Sequence, residues 1–134
     1  MSHSPSQRRR DKEMARRQAE ADAARAAEIA AARDHAARIV RLWNARAGRG
    51  RPPVFYPTIG ATIVAGQPFL TYLCPACQQV GEVDVRTIQR HPGATIASLI
   101  PALSCQRCSP NPPFARLIGL AEGPTIMQVR RQHP

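Results

Sequence analysis

The sequence predicts an α+β chain: one long N-terminal helix followed by a small β domain that its cysteines hold together. Three observations predict it. Fourteen alanines lie between Ala15 and Ala47, and no Gly or Pro interrupts Asp11 to Ala47, which favours helix over that whole length. Beyond residue 53, short β-rich runs alternate with Pro and Gly turns. The chain's four cysteines fall into two pairs, at positions 74 and 77 and at 105 and 108. A chain of 134 residues with 4% aromatics has thin material for a core, so its folded part is expected to need a staple.

Residues 1–10 are small, polar and basic, contain Pro5, and are expected to be a disordered tail. Residues 11–51 form the helix and its Gly/Pro linker. Opposite charges sit at helical spacing in Glu13/Arg17, Arg16/Glu20, Asp22/Arg25 and Asp34/Arg38, each pair contributing about 0.2–0.5 kcal/mol. Arg8, Arg9 and Arg10 would sit badly at the positive end of the helix dipole, so fraying is expected there. Gly48 and Gly50 end the helix, and Pro52-Pro53 prevent it from resuming. Along this helix, large apolar residues are confined to the second half. Ile29, Ala36, Val40 and Trp43 recur at spacings of seven, four and three, and Ile39 and Leu42 widen the stripe. The stripe either packs on the chain's own domain, leaving Asp11 to Arg25 in solvent, or forms a seam with a partner helix.

Residues 54–120 carry the β domain. Ile59 to Val64 is β-rich and is expected to be a strand, with Ala65-Gly66-Gln67-Pro68 as a turn and Phe69 to Leu73 as the strand entering the first cysteine pair. The alternating valines that follow predict a strand ending over Val83 to Val85. A helical turn is expected at Thr87 to Arg90, broken by Pro92-Gly93. Ile96, Leu99, Ile100 and Leu103 have helical spacing, limited by Pro101. Ser109 to Pro113 is a proline-rich loop, and Phe114 to Leu120 reads as a returning strand. Residues 121–134, with Arg130, Arg131 and His133, are expected to be a loosely ordered tail.

The cysteines define the chemistry. Cys74-Pro-Ala-Cys77 and Cys105-Gln-Arg-Cys108 are separated by 27 residues. Two intervening residues let the backbone turn so that both sulfurs of a pair address one metal, and two such knuckles complete a tetrahedron. Four protein sulfurs leave no open coordination position, so the expected cofactor is one structural Zn2+ bound by Cys74, Cys77, Cys105 and Cys108. Two rivals stand against it. A redox dithiol at Cys74/Cys77 would require a helix opening after a strand, but a strand pattern follows. Structural disulfides would require secretion, which nothing in the sequence marks. Four thiolates around Zn2+ carry a net charge of about −2, and Arg107 within the second knuckle is placed to offset part of it. His91, the single histidine of the insert, is read as a turn residue.

These features together give a small zinc-ribbon-like β domain with a short helical insert. The run Phe69-Leu-Thr-Tyr-Leu-Cys-Pro-Ala-Cys77, then Glu82-Val-Asp-Val-Arg86, then His91 through Cys105 and Cys108, resembles a group of small bacterial proteins of unassigned function with a split zinc-ribbon pattern. The resemblance covers residues 57–120. It implies the four cysteines as metal ligands, and it implies no activity. Zinc ribbons commonly place Gly after a knuckle, whereas Gln78 and Ser109 stand there in this chain.

The net charge is +10 and unevenly placed. Residues 1–51 hold 13 of the 19 basic residues and six of the nine acidic ones. A basic arm fits an acidic partner, nucleic acid above all, with Arg8, Arg9, Arg10, Arg16, Arg17 and Arg25 as phosphate contacts of weak sequence preference. The alternative is a protein–protein adaptor using the Ile29, Ala36, Val40 and Trp43 face, and a second is a thiol redox protein using Cys74 and Cys77. Only Glu82, Asp84 and Glu122 are acidic beyond residue 51, and no phosphate-binding glycine loop appears, so no enzyme is expected. No apolar run approaches the ~20 residues of a membrane span and no secretory h-region is present, so a cytoplasmic protein is expected.

Overall fold

The computed structural model describes residues 4–126 and divides the chain into two compact units, Met1–Arg33 and Asp34–Pro134. The first helix, α1, runs Pro5–Ala47. It begins at Pro5 rather than at Asp11, which corrects the expectation of a disordered 1–10 segment for its described part. The reason is local. The Gln7 backbone N–H donates to Ser4 Oγ at 3.2 Å, Arg8 N–H donates to the Ser4 carbonyl at 3.0 Å, and Pro5 takes the first helical position, where its missing N–H costs nothing. Within Met1–Arg33, every described residue is exposed. Helix there rests on alanine propensity and side-chain pairs along the surface. Arg17 pairs with Glu13 at 2.9 Å, and Gln18 donates to Asp22 at 3.0 Å. Among the described residues, the pairs Arg16/Glu20, Asp22/Arg25 and Asp34/Arg38 do not reach ion-pair distance.

The unit Asp34–Pro134 contains the core. Its share of α1 buries Ala36, Val40, Trp43 and Ala47, at spacings of four, three and four, which is one face of a helix. The stripe is therefore shifted from the expected one. Ile29 is 56% exposed and Leu42 54% exposed, whereas Val40 and Trp43 are at 0% and 1%. Gly50, at φ +70°, terminates the helix. Arg51 N–H bonds the Arg46 carbonyl and Gly50 N–H the Ala47 carbonyl, both at 3.1 Å, the paired closure that a left-handed residue after a helix makes possible.

The segment Ile59–Val64 is a second helix, α2, and not the expected strand. Its β-branched residues favour extended backbone, but tertiary partners decide otherwise. Thr58 Oγ1 accepts from Ala61 N–H at 3.0 Å. The first-turn N–H groups of Ile59 and Gly60 reach the carbonyls of Ala94 and Pro92 at 2.8 and 2.9 Å. Ile59 and Thr62, three apart, are buried together. The Gly66 turn follows as expected, at φ +73°.

Three strands make one antiparallel sheet in the order β2-β1-β3: β1 Phe69–Leu73, β2 Val80–Asp84 and β3 Arg116–Ala121. Phe69 pairs with Asp84 on one side and Ala121 on the other, with an irregularity between Thr71 and Tyr72 on the β3 side. The strand expected over Val83 to Val85 lies earlier, because Asp84 Oδ1 accepts from Arg86 N–H at 3.0 Å and starts a 3-10 turn at Val85–Thr87. The turn expected at Thr87 to Arg90 is this one, displaced. Ile96–Ala102 is also 3-10 helix. Three residues per turn place Ile96 and Leu99 on the same side, and both are fully buried. These residues close the core with Val40, Trp43, Leu70, Val85 and Leu117.

A side-chain clamp ties α1 to the sheet. Asn44 Nδ2 donates to the Leu120 carbonyl at 3.1 Å, and Leu120 N–H donates to Asn44 Oδ1 at 2.9 Å. The amide thus occupies the outer edge of β3 as a neighbouring strand would, and blocks pairing there with another chain. The segment after β3 is partly fixed as well. Thr125 N–H and Oγ1 both donate to Glu82 Oε2, at 3.0 and 2.7 Å, which corrects the expectation of a loose tail up to residue 126. Arg130, Arg131 and His133 lie outside the described residues.

Candidate metal centre

The first knuckle is the loop of the β1–β2 hairpin. Cys74 follows β1 directly, its N–H bonded to the Gln79 carbonyl at 2.9 Å, while Gln78 N–H bonds the Cys74 carbonyl at 2.8 Å. This turn puts Gln78 at φ +64°, the left-handed region a non-glycine side chain enters at a cost of about 1–2 kcal/mol. The position is the one where a glycine is customary, so the geometry is kept and the residue bears the strain. Tyr72 lies across Gly81, its partner in the β1–β2 register, and covers the glycine's bare backbone.

The second knuckle is built differently. No strand leads into it. Buried Leu103 anchors the approach, and Gln106–Cys108 forms a 3-10 turn with Cys105 as its N-cap. Ser109 sits at φ −56° and ψ 146°, so this turn needs no left-handed residue. The chain then returns through Ser109 to Ala115 into β3.

These two turns bring the four sulfurs within 4.8 Å of one another. Cys74 Sγ lies 3.7 Å from Cys108 Sγ, and Cys77 Sγ lies 3.6 Å from Cys105 Sγ. A tetrahedron with metal–sulfur bonds of about 2.3 Å has edges of about 3.8 Å. The close pairs run between knuckles, so each knuckle supplies one half of both short edges. All four cysteines are free, and their separations are far beyond the roughly 2.05 Å of a disulfide. Four sulfurs so placed can hold a metal ion.

The electrostatics point the same way. The Cys74 thiol is held down at about 7 from its ordinary 9.0, first by the Cys77 backbone N–H, against the effect of burial, and further by the Ala76 N–H. Cys108 is pushed up to about 12, first by its hydrogen bond to Cys74, then by burial and by Cys77 and Cys105. One thiolate thus raises the cost of the next, and full ionisation needs a cation at the centre.

Cys74 is buried and Cys77 exposed. Arg107 borders the same surface groove as Cys77, with Gln79 and Thr125. His91 is a turn residue: its Nδ1 accepts from Gly93 N–H at 2.9 Å, and it is absent from the ligand set. The redox alternative loses its structural premise, since β2 rather than a helix follows Cys77 and Cys74 is buried. Of the face expected for an adaptor, Ala36, Val40 and Trp43 are buried and Ile29 is exposed.

Arg8, Arg9, Arg10, Arg16, Arg17 and Arg25 all lie on α1 and are exposed. They do not share one face. Arg9 and Arg16 lie together with Lys12, beside Glu13, because spacings of three and four stack on a helix. Lys12 was missed by sequence reading, although it stands three residues from Arg9 and four from Arg16, the spacing that stacks on a helix. Asn44 was missed as well, although a polar residue directly beside Trp43 in an apolar stripe is a signal. Compared with family models, curated proteins and solved structures, the chain finds no match. Among the described residues, no helix is long and apolar enough to cross a membrane.

Proposed function

We propose that this is a small zinc-stapled, non-enzymatic protein, a zinc-ribbon-like domain whose basic N-terminal helix binds nucleic acid through phosphates. The observation that carries the metal half is the cluster of four sulfurs, two of their separations being 3.6 and 3.7 Å, with no fifth ligand among the described residues. A closed thiolate set suits Zn2+ in a structural role. The nucleic-acid half is supported by Arg9, Lys12 and Arg16 on one exposed helical face. Side chains there reach phosphates but read no base edges, which gives affinity with little sequence preference. The non-enzymatic reading is supported by the acids of the β domain, which serve structural bonds: Asp84 to Arg86 at 2.7 Å and Glu82 to Thr125.

The test is a titration of duplex DNA and of RNA at several salt concentrations. About three to five phosphate contacts give a slope of log affinity against log salt of about −0.9 per contact on duplex DNA. Replacing Arg9, Lys12 and Arg16 together by Gln should flatten that slope, and Cys108→Ser should change it less. Absence of any salt-sensitive binding to either nucleic acid at low ionic strength defeats the nucleic-acid half and leaves the metal half intact.

A further inference from the structure

A second cavity lies in the unit Asp34–Pro134, away from the cysteines. Its walls come from the end of α1, the Pro52-Pro53 loop and the start of β3. The cavity, open on one side, has a volume of about 420 Å³, within the range of small-molecule sites. Its lining has two characters. Trp43, Tyr56, Ile100 and Leu117 make an apolar wall, with the Trp43 and Tyr56 rings 6.4 Å apart at 45°. Arg51 and Arg116 supply positive charge, and no carboxylate lines the space. Among the described residues, neither arginine has an acidic partner within ion-pair distance.

One further feature marks it as a built site. The Arg116 guanidinium is packed against Gly50, where a Cβ would come within 2.5 Å of its Nη2. Gly50 therefore serves the helix end and also seats the arginine. The last α1 carbonyls beside the cavity are already bonded, Arg46 to Arg51 N–H and Ala47 to Gly50 N–H, which mutes the negative end of the helix dipole.

We infer that this cavity binds a small amphipathic anion, its carboxylate or phosphate head on Arg51 and Arg116 and its apolar body against Trp43 and Tyr56. Such a head supplies the acceptors that the two guanidinium groups lack. The site is independent of the metal centre and of the nucleic-acid reading.

Trp43 is the chain's single tryptophan, so the 15N-labelled full-length protein gives one indole N–H signal. Octanoate and octyl phosphate are titrated in parallel with octanamide and inorganic phosphate, the two arms carrying an anion and an apolar chain together being compared with arms carrying only one. Saturable movement of the indole signal is expected with octanoate, octyl phosphate or both. Binding of octanamide and of inorganic phosphate should be weaker by about tenfold or more, the worth of a charge-assisted hydrogen bond. Arg116→Gln should weaken binding about tenfold as well, and Arg90→Gln should not. If Arg116→Gln fails to fold, Arg51→Gln, on an exposed loop, takes its place. An indole signal unmoved by both anions, equal affinity for octanamide, or unchanged affinity in the arginine variants overturns the inference.

Discussion

Acid should weaken metal binding with a slope that the placement of the sulfurs sets. In the metal-free centre at neutral pH, Cys108, pushed up to about 12, keeps its proton, and Cys74, lowered to about 7, is the first of the two to ionise. Binding must therefore displace one full proton from Cys108 at neutral pH, besides any from the other three ligands. Log affinity should rise with pH by at least one per pH unit across the neutral range. The metal-free fold has its own pH dependence. Cys74 is lowered from 9.0, so its contribution is fully present above 9.0 and lost as pH falls through about 7. Cys108 is raised from 9.0, so its contribution is fully present below 9.0 and lost as pH rises through about 12. The metal-free domain should thus be least unstable near pH 9. The assay is a Co2+ titration, followed by its tetrahedral thiolate absorption and reversed by Zn2+, in competition with a chelator of known proton affinity. One equivalent should bind. A stoichiometry other than one, or a slope below one, would refute the reasoning. Structural Zn2+ contributes about 10–16 kcal/mol, against a net domain stability of about 5–15 kcal/mol, so chelation should also unfold the knuckles.

Trp43→Ala should destabilise the protein by about 3–5 kcal/mol, since Trp43 is 1% exposed at the centre of the core; denaturant unfolding measures it, and a loss under 1 kcal/mol would contradict the burial. Asn44→Ala should cost about 2 kcal/mol by removing both bonds to Leu120, lower Tm by roughly 8–16 °C for a domain of this size, and speed exchange of the Leu120 amide; Leu42→Ala, at an exposed position, is the control. Gln78→Gly should stabilise by up to about 1 kcal/mol, because relief of the left-handed backbone at φ +64° exceeds the added freedom of the unfolded chain. If Gln78→Gly destabilises instead, the bond from Gln78 Nε2 to the Pro75 carbonyl at 3.2 Å outweighs the strain.

Features that depend on neighbours in the chain were legible without a structure. The two C-x2-C pairs impose their turns locally, so the four-cysteine set could be read from spacing alone, and so could the strands at Phe69–Leu73 and Arg116–Ala121 and the helix end at Gly50. The helix start was read too late: Pro5 was taken as part of a disordered tail, whereas the helix begins there with Ser4 Oγ accepting from Gln7 N–H. Tertiary structure decided the rest. Ile59–Val64 became helix because the Thr58 side chain and the Pro92 and Ala94 carbonyls satisfy its first turn, and the local preference of β-branched residues does not outweigh these three bonds. The buried stripe of α1 moved from Ile29 to Ala36, Val40, Trp43 and Ala47, because periodicity names a face but not where along the helix the domain begins to cover it. Asn44 found its partner 76 residues away, and Arg51 met Arg116 around one cavity. Such pairings arise only when the folded chain brings distant segments together, where burial makes an unpaired polar group costly enough to select its partner.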